Sequence, residues 1–295
     1  MRFPAATIQS LPGNRLHLSQ GPVDVVLRAW GMEAAVRRAQ EAAAARFETI
    51  LGELVAELSE LKRPIADNPR VESSVARRMA AAVRPFADEF VTPMAAVAGS
   101  VADELLHGML AAAGLDKAFV NDGGDIALHM APGESLSVGI AGDFSRGVVP
   151  ALNGAVRLRA EDRVGGIATS GFNGRSFTFG IADSVTVLAA SAAAADAAAT
   201  LVANAVAVDS PAVARRPARD LDPDSDLGDR LVTSAVGPLL PEEIEGALRS
   251  GQAKAESFMA RGLIRGAALM LRGRTLLAVE PALAAALAPG AQANA

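Results

Sequence analysis

The stretch AFVNDGGDIALHM, residues 118–130, decides the fold class, because it reads as two short apolar strands joined by a tight turn. Asn-Asp-Gly-Gly is a composition that two-residue hairpin turns favour. Further short β-prone segments, bounded by glycine, asparagine, aspartate or proline, occupy residues 135–141, 155–159, 166–168, 176–179 and 184–189. Short strands separated by turn residues predict a mostly antiparallel sheet.

Helical and further strand patterns flank these segments. Apolar residues recur at helical spacing over residues 32–61, 71–86, 93–113, 191–208, 241–250 and 252–261. Gly114 is expected to end the third of these helices, because a helix C-terminus favours glycine. Strand pairs are predicted over residues 16–29 and 267–279, whereas the proline- and aspartate-rich residues 209–229 predict an exposed loop. The fold class is therefore α+β, a mostly antiparallel sheet packed with helices.

The length of 295 residues is at the upper end of what one domain holds. We predict a single domain over residues 1–280, with two intertwined halves as the open alternative, and a flexible C-terminal tail over residues 281–295.

Composition excludes several classes of function. The net charge is −5 and no Lys/Arg run exceeds a pair, so nucleic acid is not an expected partner. Without cysteine there can be no disulfide, thiolate nucleophile or iron–sulfur cluster, so a metal would need oxygen ligands or the three histidines, which are scattered. The N-terminus lacks the apolar core of a secretion signal, and polar residues interrupt the most apolar stretch. A cytoplasmic protein with no membrane segment is expected, and a homo-oligomer stays open.

The alanine-rich helix of residues 191–208 carries the sharpest polar pattern. Asp196, Thr200 and Asn204 are spaced four apart and therefore share one face. A solvated face would normally carry Lys, Glu or Arg, whereas short oxygen-bearing groups suit a hard cation such as Mg²⁺. Spacing alone leaves two interpretations equally open: a metal or ligand site, or side chains that bond neighbouring backbone groups.

Two small-residue loops are candidates for ligand contact. The glycines of the turn Asn121 to Asp125 allow backbone N–H groups to approach a ligand closely, although a plain hairpin turn is the commoner reason for that sequence. Residues 165–171, GGIATSG, are followed by Arg175, and their hydroxyls and guanidinium suit phosphate binding. This second loop matches neither the P-loop nor the dinucleotide fingerprint.

Taken together, the order and spacing of several segments resemble the UPF0280 family, relatives of the ApbE flavin transferases. The segments include PMAAVAG at 93–99, NDGGDI at 121–126, IATSG at 167–171, ADSVTV at 182–187 and ADAAAT at 195–200. No single one is specific, but their combination covers nearly the whole chain and implies an ApbE-like fold.

The ApbE resemblance implies a function and a set of site residues. The wider family transfers FMN from FAD, with Mg²⁺, to a threonine or serine of an acceptor protein. Asp196 and Thr200 would be the catalytic residues and, with the backbone carbonyl of Ala95, the metal ligands. The flavin nucleotide, FAD or FMN, would lie against Gly123, Gly124, Asp125, Thr169, Ser170, Gly171 and Arg175.

Two departures from the family bear on catalysis. Where the transferases carry Lys-Gly followed four residues later by Asp, this chain reads Ala98-Gly99 and then Asp103. The segment between Gly171 and the strand at 184–189 is short and lacks the histidine of the transferases. The expected function is FMN transfer to a protein or FAD hydrolysis; the alternative is a non-catalytic flavin- or nucleotide-binding or maturation protein on the same scaffold.

Overall fold

The computed structural model describes residues 4–141 and 152–284, and it divides into two compact units. The first unit comprises Met1–Leu136, Arg159–Ala168 and Ala189–Ala197, and the second comprises Ser137–Leu158, Thr169–Leu188 and Ala198–Ala295. Each unit is thus assembled from segments that are far apart in the sequence.

Strands and helices alternate in blocks along the chain. The strands are β1 (Thr7–Leu11), β2 (Arg15–Gln20), β3 (Val23–Trp30), β4 (Lys117–Asp122), β5 (Asp125–Met130), β6 (Ser135–Ala141), β7 (Leu152–Arg159), β8 (Gly166–Ser170), β9 (Ser184–Ala189), β10 (Val213–Pro217), β11 (Leu231–Val236), β12 (Gly266–Leu271) and β13 (Arg274–Val279). The α-helices are α1 (Glu33–Ala56), α2 (Leu58–Leu61), α3 (Ser74–Val83), α4 (Val97–Ala112), α5 (Ala192–Ala205), α6 (Ala218–Leu221), α7 (Pro241–Ala260) and α8 (Pro281–Ala284). Short 3₁₀ turns lie at Ile65–Asp67, Arg84–Phe86, Pro93–Ala96 and Ala160–Asp162.

The first unit is a sheet covered on one face by helices. Its strand order is β1-β2-β3-β4-β5-β8 with antiparallel pairing throughout. Alternate residues of β2 and β3, such as Leu18 and Leu27, are buried and pack in one core with Phe47 of α1 and Leu105 of α4. This alternation is what a strand with one covered face requires.

The second unit contains three paired strands and a long helix. Strands β9, β12 and β13 pair antiparallel, with Val187 opposite Ala267 and Leu269 opposite Leu276. Helix α7 packs against β12 and β13 through buried residues that include Phe258. Two further two-stranded sheets consist of β6 with β7 and of β10 with β11.

Helix α4 is joined to α1 and α3 by a partly buried ion-pair network centred on the buried Glu104. Arg46 of α1 donates to Glu104 Oε1 at 3.0 Å, Arg78 of α3 donates to Oε2 at 3.2 Å, and the Ser74 hydroxyl also donates to Oε1. Burial opposes ionisation of Glu104, but the hydrogen bonds from Ser74, Arg46 and Arg78 outweigh it and hold its pKa below the ordinary value. The network holds α4 in place.

We expect Glu104→Ala to lower the free energy of unfolding by about 2 kcal/mol, because it leaves two partly buried guanidinium groups with fewer partners. Arg37→Ala is the control, since the exposed pair of Arg37 with Glu33 should contribute less than about 0.5 kcal/mol. Urea unfolding followed by the fluorescence of Trp30, the single tryptophan, measures both. Because the folded-state pKa of Glu104 is depressed, its contribution is present above its unfolded pKa and is lost as pH falls. A cost equal to that of Arg37→Ala would contradict the network's role.

Four sequence expectations about individual elements are corrected by the structure. Residues 176–179 form no strand: Phe179 N–H and the Thr178 hydroxyl donate to Asn204 Oδ1, while the Thr178 carbonyl accepts from Thr233 N–H of β11 at 2.9 Å. Residues 209–229 are not a featureless loop, since they contain β10 and α6. The two helices expected at 241–250 and 252–261 are the single α7; Gly251 lies inside it, where a Cβ would be 2.3 Å from Val206 Cγ2. Gly251 is therefore explained by close packing against Val206, where a larger residue would not fit, and not by a helix end.

The fourth correction concerns Gly114, which does not end α4 in the left-handed conformation. The last helical residue is Ala112, the C-cap residue Ala113 is extended, and residues 114–116 then lead to β4. Of the C-terminal tail expected over residues 281–295, α8 is helical and residues 285–295 lie outside the described residues.

Candidate functional site

Helix α5 begins with a serine cap and carries Asp196 in its second turn. Ala194 N–H donates to Ser191 Oγ at 3.2 Å, which satisfies one of the backbone donors that a helix N-terminus leaves open. Alanine, the best helix former, fills most of the next turns. The small alanine side chains allow neighbouring backbone to approach closely.

Helices α4 and α5 exchange caps through two aspartates of the first unit. Asp196 Oδ2 accepts from Gly99 N–H at 3.0 Å, and the carboxylate is also bonded by the N–H of Ala98, so it caps the first turn of α4. Asp103, in turn, accepts from Ala192 N–H at 3.1 Å and Ala193 N–H at 2.9 Å at the start of α5. Asp103 follows Gly99 by four residues, and Asp196 follows Ala192 by four residues. Each aspartate therefore caps the start of the helix that carries the other.

This exchange requires the two helix starts to be in backbone contact. A Cβ placed on Gly99 would be 2.3 Å from the carbonyl oxygen of Ala192 and 2.5 Å from its carbonyl carbon. Any residue larger than glycine would therefore separate α4 from α5.

The hairpin between β4 and β5 presents two further carboxylates. Asp122 and Asp125 are opposite each other in the register, so Gly123 and Gly124 form a two-residue loop, with φ of 63° and 116°. Positive φ at both central residues is typical of type I′ turns and favours glycine. Gly124 N–H donates to Asn121 Oδ1 at 2.9 Å, and a Cβ on Gly124 would meet no atom within 4 Å. The hairpin interpretation is confirmed, and its tip has room for a ligand.

Three carboxylates of the first unit influence one another. The pKa of Asp196 is raised well above its ordinary value by burial first, then by the negative charge of Asp125 and more weakly by that of Asp122. The N–H groups of Gly99 and Ala98 act in the opposite direction but are outweighed. A divalent cation beside Asp196 would favour the charged form, which burial and repulsion disfavour.

Asp196 offers a carboxylate, which is the kind of oxygen donor that Mg²⁺ prefers. Within residues 4–141 and 152–284, no three His, Cys, Asp or Glu side chains form a ready-made metal cage. Mg²⁺ does not need one, because it is usually bound by one or two carboxylates together with waters and substrate phosphates. Thr200 follows Asp196 by one turn of α5, and Ala95 lies in the 3₁₀ turn that precedes α4.

The remaining predicted ligand residues belong to the second unit. Thr169 Oγ1 and Thr186 Oγ1 share a hydrogen bond of 2.8 Å, and Gly171 lies so close to Asp183 that a Cβ would be 2.6 Å from its carbonyl oxygen. Ser170 is the last residue of β8, and Arg175 is exposed in the loop that follows.

The structure thus brings some predicted site residues together and gives others a packing role. Asp196 and Asp125 are close enough to interact, whereas Asn204, the third member of the polar stripe, bonds residues 178 and 179 of the second unit. Sequence reasoning missed Asp122 and the capping role of Asp103. The signal for Asp122 was its place in the same turn as Asp125.

Other features of the described chain carry no functional assignment. A cavity of about 490 Å³ is lined by Arg70, Arg77 and Arg84, but acidic side chains, among them Glu57, Glu60 and Glu72, lie beside or within it. His17 bonds Asp24 and His129 bonds the Leu115 carbonyl, so both have structural partners. No helix among the described residues is long and apolar enough to cross a membrane.

The fold is that of an ApbE-like α+β protein. The crystal structure of the ApbE protein from Thermotoga maritima aligns with a TM-score of 0.53 at 12% identity, covering 97% of this chain and 100% of that chain. At this identity the likeness concerns the fold alone.

Sequence comparison identifies the family. Residues 8–277 match the family model AbpE_bact, described as AbpE bacteria. A UPF0280 protein of Methanopyrus kandleri is 32% identical over 190 residues, 60% of this chain and 72% of the relative. A UPF0280 protein of Methanothrix thermoacetophila is 39% identical over 121 residues, 41% of this chain and about half, 48%, of the relative's length. The chain belongs to the AbpE bacterial family and is a UPF0280-type, ApbE-like protein.

Proposed function

We propose that this protein is a Mg²⁺-dependent enzyme that binds FAD or a related nucleotide diphosphate and either transfers FMN to an acceptor protein or hydrolyses FAD. The observation that carries the proposal is the Asp196 carboxylate, which accepts from Gly99 N–H at the start of α4 and lies within electrostatic reach of Asp125. Membership of the ApbE-like family supports the flavin nucleotide as the ligand.

Each residue of the proposed site has a defined task. Asp196 would hold the cation, with its carboxylate oriented by Gly99 N–H, and Thr200 and the Ala95 carbonyl would complete the protein's ligands. Bound there, Mg²⁺ would neutralise diphosphate charge and polarise a phosphoryl oxygen. The open tip of the Gly123-Gly124 turn would contact the nucleotide.

The proposed reaction breaks the diphosphate bond of FAD. The hydroxyl of an acceptor serine or threonine, or a water molecule, attacks the phosphorus of the FMN half, and AMP leaves. Transfer gives a protein-bound FMN, whereas hydrolysis gives free FMN, and both release one AMP for each FAD consumed.

The test is to incubate the purified protein with FAD, with Mg²⁺ or with EDTA, and to measure AMP, free FMN and protein-bound flavin separately. We expect AMP release only with Mg²⁺, and the fate of FMN then separates transfer from hydrolysis. An acceptor peptide with serine or threonine should be present in a parallel reaction.

The alternative is a flavin- or nucleotide-binding or maturation protein without turnover. Ala98 favours it, because the residue at that position contributes its N–H to Asp196 and no cationic side chain for the diphosphate. Mg²⁺-dependent FAD binding without AMP release, in both reactions, would support this alternative. Absence of FAD binding under all these conditions would refute both functions.

A further inference from the structure

Asp103 is a buried aspartate that the proposed reaction does not use. It is 9% exposed, and it accepts hydrogen bonds from two backbone N–H groups and from the Ser191 hydroxyl, all at the start of α5. Because both of its oxygens are engaged by N–H donors, it holds the first turn of α5 in a defined position relative to α4.

The first turn of α5 determines where Asp196 lies. Asp196 is four residues after Ala192, one helical turn along the same face, so a rigid helix transmits the position of Ala192 directly to it. The backbones of Gly99 and Ala192 are in contact, so the two helices have no space to shift towards each other at this point.

The two exchanged aspartates are alike in geometry but differ in surroundings. Asp103 faces backbone donors and its pKa is raised by burial, with Ala193 N–H, Ala192 N–H and the charge of Arg78 acting against that rise. Asp196 has backbone donors as well, but it also faces the charges of Asp125 and Asp122. Asp103, with both oxygens bonded to the first turn of α5, is thus placed to orient that helix.

We propose that Asp103 is a positioning residue, which fixes α5 so that Asp196 is held at once against Gly99 N–H and towards Asp125. Its importance for metal binding rests on the proposed function, whereas its control of the Gly99–Asp196 contact does not. The two parts therefore have separate measurements.

The first measurement is amide hydrogen exchange in the protein without Mg²⁺. In Asp103→Ala, the Gly99 N–H should exchange about tenfold faster than in the wild type, although Asp103 itself does not bind that group. The amide of Ile50, in the middle of α1, should keep its wild-type rate. Wild-type protection at Gly99 would overturn the proposal whether or not the protein binds a nucleotide.

The second measurement is the Mg²⁺ concentration that gives half-maximal FAD binding. Loss of a residue that orients a metal ligand typically weakens metal affinity by about 10-fold to 100-fold, so Asp103→Ala should raise this concentration within that range. Asp103→Asn keeps one acceptor oxygen and should restore part of the affinity. A midpoint equal to the wild type's in both variants would overturn the positioning role at the metal.

Val75→Ala separates positioning from general loss of stability. Val75 is a fully buried residue of α3 whose side chain makes none of the hydrogen bonds that cap α4 and α5, so truncating it lowers the melting temperature and leaves those hydrogen-bonding groups intact. We expect a wild-type Mg²⁺ midpoint for this variant, and an equal rise in Val75→Ala and Asp103→Ala would show that Asp103 acts through stability alone. If FAD binding by the wild type does not depend on Mg²⁺, the proposed function fails. The exchange rate of the Gly99 N–H still tests whether Asp103 controls the Gly99–Asp196 contact.

Discussion

Replacing Asp196 by asparagine should remove the Mg²⁺ dependence of FAD binding while leaving the protein folded. Asparagine has nearly the same shape and keeps a side-chain oxygen that can accept from Gly99 N–H, so the cap of α4 survives. The substitution removes the only charged ligand that the proposed metal site contains. We expect Mg²⁺ to increase FAD affinity at least about tenfold in the wild type, and not at all in the variant.

The measurement is a titration of FAD fluorescence with protein, in Mg²⁺ and in EDTA. Asp67→Asn is the matched control, because Asp67 is an exposed residue of the first unit in the turn Ile65–Asp67. It should retain the wild-type response. If Asp196→Asn also retains it, the carboxylate is a helix cap only and the metal assignment is wrong.

The same variant has a readout that needs neither metal nor nucleotide. Burial and the charges of Asp125 and Asp122 raise the folded-state pKa of Asp196. At a pH above the unfolded-state pKa, the unfolded chain therefore loses the Asp196 proton more readily than the folded protein does. The stability linked to Asp196 is therefore fully present at low pH and declines as pH rises towards the folded-state pKa. In EDTA, the melting temperature of Asp196→Asn relative to wild type should rise between pH 4 and pH 7. A difference in melting temperature that stays constant with pH would contradict the repulsion between Asp196 and the other two carboxylates.

Gly99→Ala should be among the most destabilising single-methyl additions in the first unit. The new Cβ would be 2.3 Å from the Ala192 carbonyl oxygen, and this obstacle is backbone, which can move only if α5 moves. Relieving the overlap would stretch both exchanged caps, so we expect a loss of about 3 kcal/mol in the free energy of unfolding. FAD binding should weaken as well, since Asp196 would move with α5.

Gly108→Ala is the control for this substitution. It lies in the same helix, and a Cβ at Gly108 meets no atom within 4 Å, so the change should stabilise α4 by about 0.5 to 1 kcal/mol. Urea unfolding monitored by Trp30, which lies in the first unit, compares the two directly. Equal unfolding midpoints for Gly99→Ala and the wild type would show that α4 and α5 are less closely packed in solution.

The local patterns in the sequence predicted most of the fold. Strand alternation located β2 and β3, the Asn-Asp-Gly-Gly turn located the β4–β5 hairpin, and helical spacing located α1 and α4. These signals succeed because a strand or helix with one buried face repeats its apolar residues with the period of the backbone. Predictions failed where one residue type is compatible with two local structures. Gly251 was predicted to separate two helices, whereas it lies inside α7 at a packing contact.

For the candidate site, the sequence by itself determined the chemistry and the tertiary structure decided the arrangement. A chain without cysteine restricts a metal site to oxygen ligands or the three histidines, and the family resemblance selects Asp196 and Thr200 as the candidate side chains. Only the folded chain shows that Asp196 caps α4, that Asp103 caps α5 and that Asp125 lies close enough to raise the pKa of Asp196. The physical reason is that these contacts join residues about 70 to 100 positions apart, and neither spacing nor propensity carries information over that separation.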